Sequence, residues 1–265
     1  MSMQEHQTAG FIVEKLRRLR LDDLRTGIGE TGVLGTLVGG KPGPVTLLRA
    51  DMDALPMQEL GQAEYRSVNP GVMHACGHDG HVSIMLSAAA TLSERRAEIP
   101  GTLVFCFQPG EEGHAGAKKM IDDGALENPH VDRTFALHLN TGLDVGKIGV
   151  RDDAFFASAD QFTLVVRGKG GHGGMPQATH DPVAAAAYVV TLLQTIVSRE
   201  IAPKDPAVIT VAHVTSGTTF NVIPDEATLR GTVRTFDAAV RSEMPARIER
   251  VAWGVASALR VDVAM

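Results

Sequence analysis

Residues Thr102–His114 read TLVFCFQPGEEGH: an apolar run, a Pro-Gly break, then the adjacent acids Glu111 and Glu112. The run Thr102–Phe107 has the length and the branched and aromatic content of a strand, and the break marks its end. Glycines on both sides of the acid pair leave the loop free to aim both carboxylates inward. Two neighbouring acids can then divide the work, one holding a metal and the other carrying a proton.

The same arrangement recurs on either side. Upstream, the short apolar run Pro44–Leu48 meets the charged break RADMDALP, which carries Asp51 and Asp53. Downstream, the run Thr134–Leu139 delivers His138. Acids or imidazole just past the ends of buried strands stand where α/β proteins build their sites. A solvated turn with an Asp cap is the alternative reading of Asp51 and Asp53 taken alone. Between the first two runs lies MHACGHDGH, Met73–His81, with His74, Cys76, His78 and His81. A Cys and a His two residues apart can face one way on an extended or turning segment. Soft and borderline ligands at this density point to a metal, with a buried Cys beside surface histidines as the alternative.

Helical patterns fill the intervals. Phe11, Ile12, Leu16 and Leu19 space an amphipathic helix over Thr8–Leu21, and Val82–Leu92 reads as a helix starting near Asp79. Gly27 to Gly43 surrounds the strand-like run Val33–Val38 without the helix or Gly-Lys-Ser/Thr of a phosphate loop. Strands alternating with helices through residue 155 predict an α/β domain with a largely parallel sheet. After Phe156 the pattern changes. Strands over Gln161–Arg167, Ala207–Val214, Ala227–Thr235 and Val261–Ala264, with helices over Pro182–Ser198 and Ala238–Leu259, give a β-α-β-β-α-β order. That is the order of a small two-layer, ferredoxin-like α+β domain, so the chain divides into 1–155 and 156–265.

The 31 acidic and 25 basic residues leave a net charge of −6, which offers no global electrostatic basis for binding nucleic acid or an anionic membrane. The N-terminus lacks a basic start followed by a long apolar run, and no stretch reads as the roughly 18 apolar residues of a membrane span. A cytoplasmic protein with a small-molecule partner is the expectation. Cys76 and Cys106 are too few for a disulfide framework, and Cys106 reads as a small buried hydrophobe.

RADMDALP, MHACGHDGH, FQPGEEG, ALHL, GKGGHGGMP and FNVIPDEATLRGTVRTF, in this order, closely resemble the dinuclear metallopeptidase and amidohydrolase family of aminoacylase, hippurate hydrolase and auxin–amino acid conjugate hydrolases. The resemblance implies a metal-dependent amidohydrolase acting on N-acyl-amino acids. It implies two divalent ions held by Cys76, His78, Glu112 and His138, with Cys76 shared between them as a thiolate. Zn²⁺ suits this donor set, and the family also points to Mn²⁺, Co²⁺ or Ni²⁺. Glu111 is the implied general base toward a metal-activated water, and Asp53 the acid that orients a ligand. Asp51 stands where other branches carry a ligating histidine. The second domain is implied to be an inserted lid that forms a homodimer. His172 would reach the partner's site as an oxyanion donor, and Asn221 and Arg234 would hold the substrate carboxylate. The strand Leu229–Thr235 independently puts Arg230, Thr232 and Arg234 on one face. Relatives carry further residues before and after the stretch seen here, including the last ligating histidine. A dipeptidase or aminopeptidase of the same family, or a non-catalytic dimerising fragment, are therefore the other readings.

Overall fold

The computed structural model describes residues 1–265. The chain divides into two compact units, Met1–Lys147 and Ile148–Met265.

The first unit contains α1 (His6–Arg17), β1 (Asp23–Ile28), β2 (Gly32–Val38), β3 (Lys41–Asp51), α2 (His78–Glu94), β4 (Pro100–Gln108), α3 (Gly116–Asp122) and β5 (Arg133–Ala136). The strands form one sheet in the order β1-β2-β4-β3-β5. Side chains on β4 alternate across it. Phe105 and Phe107 face one layer with Ile12 and Leu16 of α1 and Val82, Met85 and Ala89 of α2. Val104 and Cys106 face the other with Leu34, Leu47 and Met120 of α3. A strand with no solvent-facing side must be apolar throughout, which is why Thr102–Phe107 shows no polar alternation.

The sheet is mixed, which corrects the expectation of a largely parallel one. β4, β3 and β5 run parallel, whereas β1 pairs antiparallel with β2 and β2 antiparallel with β4. For β1 and β2 the cause is the short connection Gly29–Thr31, which can join only antiparallel neighbours. β1 was not legible in the sequence because DLRTGI is polar and only partly covered. β5 ends at Ala136, so His138 lies beyond the strand and not within it. The three parallel strands matter most for function: their carboxyl ends share one edge, with Asp51 the last residue of β3 and Asp53, Glu111, Glu112 and His138 just past the strand ends.

The second unit runs β6 (Asp160–Arg167), β7 (Gly171–His172), α4 (Pro182–Thr195), a π-helical turn (Ile196–Glu200), β8 (Ala207–Ser216), β9 (Val222–Ile223), β10 (Glu226–Thr235), α5 (Ala238–Leu259) and β11 (Asp262–Ala264). The main sheet has the order β11-β6-β10-β8 with every neighbouring pair antiparallel. Leu164, Val166, Leu229 and Val233 pack against Ala185, Val189 and Leu193 of α4 and Ile248 and Ala252 of α5. Asp181 caps α4 by accepting from the Val183 and Ala184 amides, with Pro182 in the first turn, and Asp237 caps α5 through the Val240 amide. The helical stretch Pro182–Glu200 is long and apolar enough to cross a membrane by length and composition, which the sequence reading did not anticipate. One stripe of it, with Ala185, Val189 and Leu193, faces the sheet, whereas Val183, Tyr188 and Leu192 are exposed apolar side chains outside that stripe.

Phe105→Ala should destabilise the chain by about 3–5 kcal/mol, the cost of a large cavity in a fully buried layer. Phe135→Ala, at a side chain 58% exposed, should cost under about 1 kcal/mol. Urea unfolding midpoints of the two variants test the assignment, and equal losses would contradict it.

Candidate metal centre

α2 starts at His78, and the residue before it, Gly77, has φ +82. That left-handed conformation turns the chain so that Cys76, just ahead of the helix, and His78, its first residue, reach the same place. His78 is fully buried, and its Nδ1 donates to the Asp53 carbonyl and to Asp53 Oδ1, both at 3.0 Å. With one proton committed to Nδ1, the neutral form of the ring has its lone pair on Nε2, and that buried atom has no hydrogen-bond partner. Cys76, His78 and His138 bring ligand atoms within 4.8 Å of one another, as do His78, Glu111 and Glu112. His78 is common to both groups.

His138 repeats the logic. Its Nδ1 donates to the Leu139 carbonyl at 2.7 Å, so Nε2 is turned toward Cys76, with Sγ at 3.3 Å. His81 is different because both of its nitrogens are engaged. The Leu139 amide donates to Nε2 at 2.9 Å, which forces the proton onto Nδ1, and that proton goes to Asp51 Oδ1 at 2.6 Å. His81 is therefore a strut between the end of β3 and the backbone beside His138. Its i, i+3 spacing from His78 on one helix face was the available signal. Asp51 also lies 2.9 Å from the Arg49 guanidinium and 3.5 Å from His78 Nε2.

The electrostatics fit a cation. Burial disfavours the charged forms of Asp51 and Asp53, yet hydrogen bonds from His81 and His78 respectively hold both carboxyls below the usual range. Burial lowers the His78 pKa, but the bond to Asp53 and the charges of Asp51, Asp53 and Glu111 outweigh it and raise it. Burial and the neighbouring Glu112 carboxylate push Glu111 up. Burial and Glu112 also push the Cys76 thiol up to about 11. These carboxylates converge on one place with Arg49 as the facing cation, and the donors are imidazole, thiol and carboxylate. That donor set and the unpartnered His78 Nε2 fit a divalent metal.

The other candidate residues lie in the second unit. β7 pairs with β9, His172 opposite Val222, and the Gly173 amide donates to the Asn221 carbonyl at 2.8 Å, so His172 on β7 lies beside Asn221, the residue just before β9. Arg234 is apart from them on β10, where its guanidinium donates to Thr232 Oγ1 at 2.8 Å on the exposed face. An open depression of about 500 Å³ is lined by Ser216–Phe220, Val222–Pro224, Asp181 and Val183, and contains none of the metal-ligating groups.

Residues 47–252 match Peptidase family M20/M25/M40. The chain belongs to this family. It is 42% identical over 257 residues to the N-acetylcysteine deacetylase of Bacillus subtilis, covering 97% of this chain and 67% of that protein. It is 43% identical over 259 residues to the N-acyl-L-amino acid amidohydrolase of Geobacillus stearothermophilus, covering 97% of this chain and 69% of that protein. A solved Bacillus subtilis structure described as a dinuclear metal-binding peptidase of the M20 family superposes with a TM-score of 0.82. It is 38% identical and covers all of this chain and 68% of that one. The chain thus spans about two thirds of the length of these relatives. The M20 chain is a metallo-hydrolase of the peptidase and amidohydrolase kind.

Two measurements check the centre. In metal-free protein the raised Cys76 pKa keeps the thiol protonated at pH 8, so alkylation there should be on the order of 100-fold slower than at a free cysteine, rising toward pH 11. Peptide-level mass spectrometry separates Cys76 from Cys106; a free-cysteine rate at Cys76 would contradict the carboxylate-rich setting. His81→Asn keeps a donor near Asp51 but loses the acceptor for the Leu139 amide, and should weaken Mn²⁺ or Zn²⁺ binding by about 10–100-fold in calorimetric titration.

Proposed function

We propose that this chain hydrolyses the amide bond of N-acyl-amino acids, releasing the acid and the amino acid. The observation that carries the reading is that two groups of ligand atoms, Cys76 with His138 and Glu111 with Glu112, each come together with His78. The activities for which the relatives are named, deacetylation of N-acetylcysteine and hydrolysis of N-acyl-L-amino acids, support the substrate class.

Cys76, His78, Glu112 and His138 would hold two divalent ions, Zn²⁺ by donor chemistry or Mn²⁺, Co²⁺ or Ni²⁺. When bound, such ions polarise the amide carbonyl and make water a nucleophile near neutral pH. The chain's own residues do the rest. Glu111 takes the proton of the attacking water at a carboxylate oxygen and returns it to the leaving amine. Its raised pKa brings its proton affinity closer to the operating pH. Asp53 fixes the tautomer and orientation of His78.

In the same reading the second unit is an inserted, ferredoxin-like lid that forms a homodimer. Its strand order and helix layer support that fold. His172 stabilises the oxyanion developing on the partner subunit's substrate, and Asn221 and Arg234 grip the substrate carboxylate. A cytoplasmic setting is part of the proposal, in keeping with two free cysteines.

Glu111→Gln should lower kcat on N-acetyl-amino acids by about 10²–10⁴-fold while leaving Mn²⁺ stoichiometry unchanged. Chelation should abolish turnover and added Mn²⁺ or Zn²⁺ restore it. Wild-type turnover by Glu111→Gln would remove Glu111 from the mechanism, and preference for free-amine dipeptides over N-acetyl substrates would overturn the substrate class.

A further inference from the structure

We infer that Glu5 is a positioning residue for Glu111, anchoring the base of the loop on which that carboxylate stands. Glu5 occupies the N-cap of α1, yet its side chain makes no hydrogen bond to its own helix. N-caps are normally short residues whose oxygen folds back onto the first turn, and glutamate reaches past it. The Glu5 carboxylate instead leaves α1 altogether. Oε1 accepts from the Met3 amide at 2.8 Å and the Gly110 amide at 3.0 Å, and Oε2 accepts from Thr31 Oγ1 at 2.7 Å.

The group is 3% exposed, and its partners are two backbone amides and a hydroxyl, with no cation among them. A buried carboxylate without a counter-ion is a poor source of stability, so its value must lie in the geometry it fixes. Gly110 is where that geometry is set. Its amide goes to Glu5, and its carbonyl accepts from the Gly116 amide at 3.1 Å, closing the loop that carries Glu111 and Glu112. Gly110 has φ +55, and a Cβ there would meet Met3 Sδ at 2.3 Å, so the N-terminal segment lies directly on the loop base.

A second carboxylate holds the other flank. Asp53 Oδ2 accepts from the Glu112 amide at 3.1 Å and from Ser2 Oγ at 2.6 Å. Glu111 is therefore suspended between two amides, each tied to a buried acid. Catalytic groups displaced by about an ångström lose on the order of 100-fold in rate, so loosening one tie should be felt in turnover.

The kinetic part rests on Glu111 as the proton carrier; the anchoring part does not. Three variants, Glu5→Ala, Glu5→Asp and Glu5→Gln, are compared with Ile12→Ala, which empties the core under the same helix. Hydrogen exchange of residues 109–116 is measured on the metal-free chain, and kcat and KM on N-acetyl-methionine with Mn²⁺. Glu5→Ala, and Glu5→Asp with its shorter reach, should speed exchange in 109–116 by about tenfold and lower kcat by about 10–100-fold, with KM within about threefold. Glu5→Gln keeps an acceptor for the Gly110 amide and should stay close to wild type, as should exchange in 109–116 in Ile12→Ala. Unchanged exchange in Glu5→Ala, an equal rise in Ile12→Ala, or faster exchange at wild-type kcat would each overturn the inference. An inactive wild type counts against the amidohydrolase reading alone, and the exchange comparison still decides the anchoring.

Discussion

The Asp53 carboxylate is the constraint on which the rest of the centre depends. It stands just beyond β3, 1% exposed, and accepts from the His78 ring, the Glu112 amide and the Ser2 hydroxyl. One acid therefore fixes a ring on α2, a backbone turn after β4 and the beginning of the chain. Because its position follows from the parallel pairing of β3 with β4, the sheet register sets the spacing of the metal-binding groups. The hydrogen bonds that keep it ionised despite burial are the same ones that orient its neighbours.

Charge and structure are balanced against each other around it. Asp51, Asp53, Glu111 and Glu112 meet with Arg49 as the opposing cation, a set that is self-repelling until further positive charge is supplied. Buried struts keep the arrangement from relaxing. His81 joins Asp51 to the Leu139 backbone, and both layers of core clamp β4 from either side. The site is held open by packing and hydrogen bonds, so that metal affinity is obtained from a preformed geometry.

Much of this was readable from local pattern. The runs ending near Asp51, Glu111 and His138, and the Cys76–His78 pair, announced themselves through strand-like apolar stretches broken by polar ligands. The roles given to His172, Asn221 and Arg234 came instead from resemblance, since a histidine among glycines or an arginine on an exposed face has no distinctive pattern. What escaped depends on pairing at long range. β1 has no apolar alternation because its faces are only partly covered. The antiparallel entry of β2 is a property of its partners, not of its own residues. Glu5 lies ahead of the helical pattern that begins at Thr8, and its meaning lies in an amide 105 residues away.

β5 ends the five-stranded sheet, and all four of its residues are exposed. Its outer backbone edge is a template for strand addition, flanked by the exposed side chains of Phe135 and Leu137. Backbone donors and acceptors on this side are thus available to a further strand, and Arg133 is the charged residue of β5 beside them. The strand that leads to His138 is thus also the one through which this sheet can be extended.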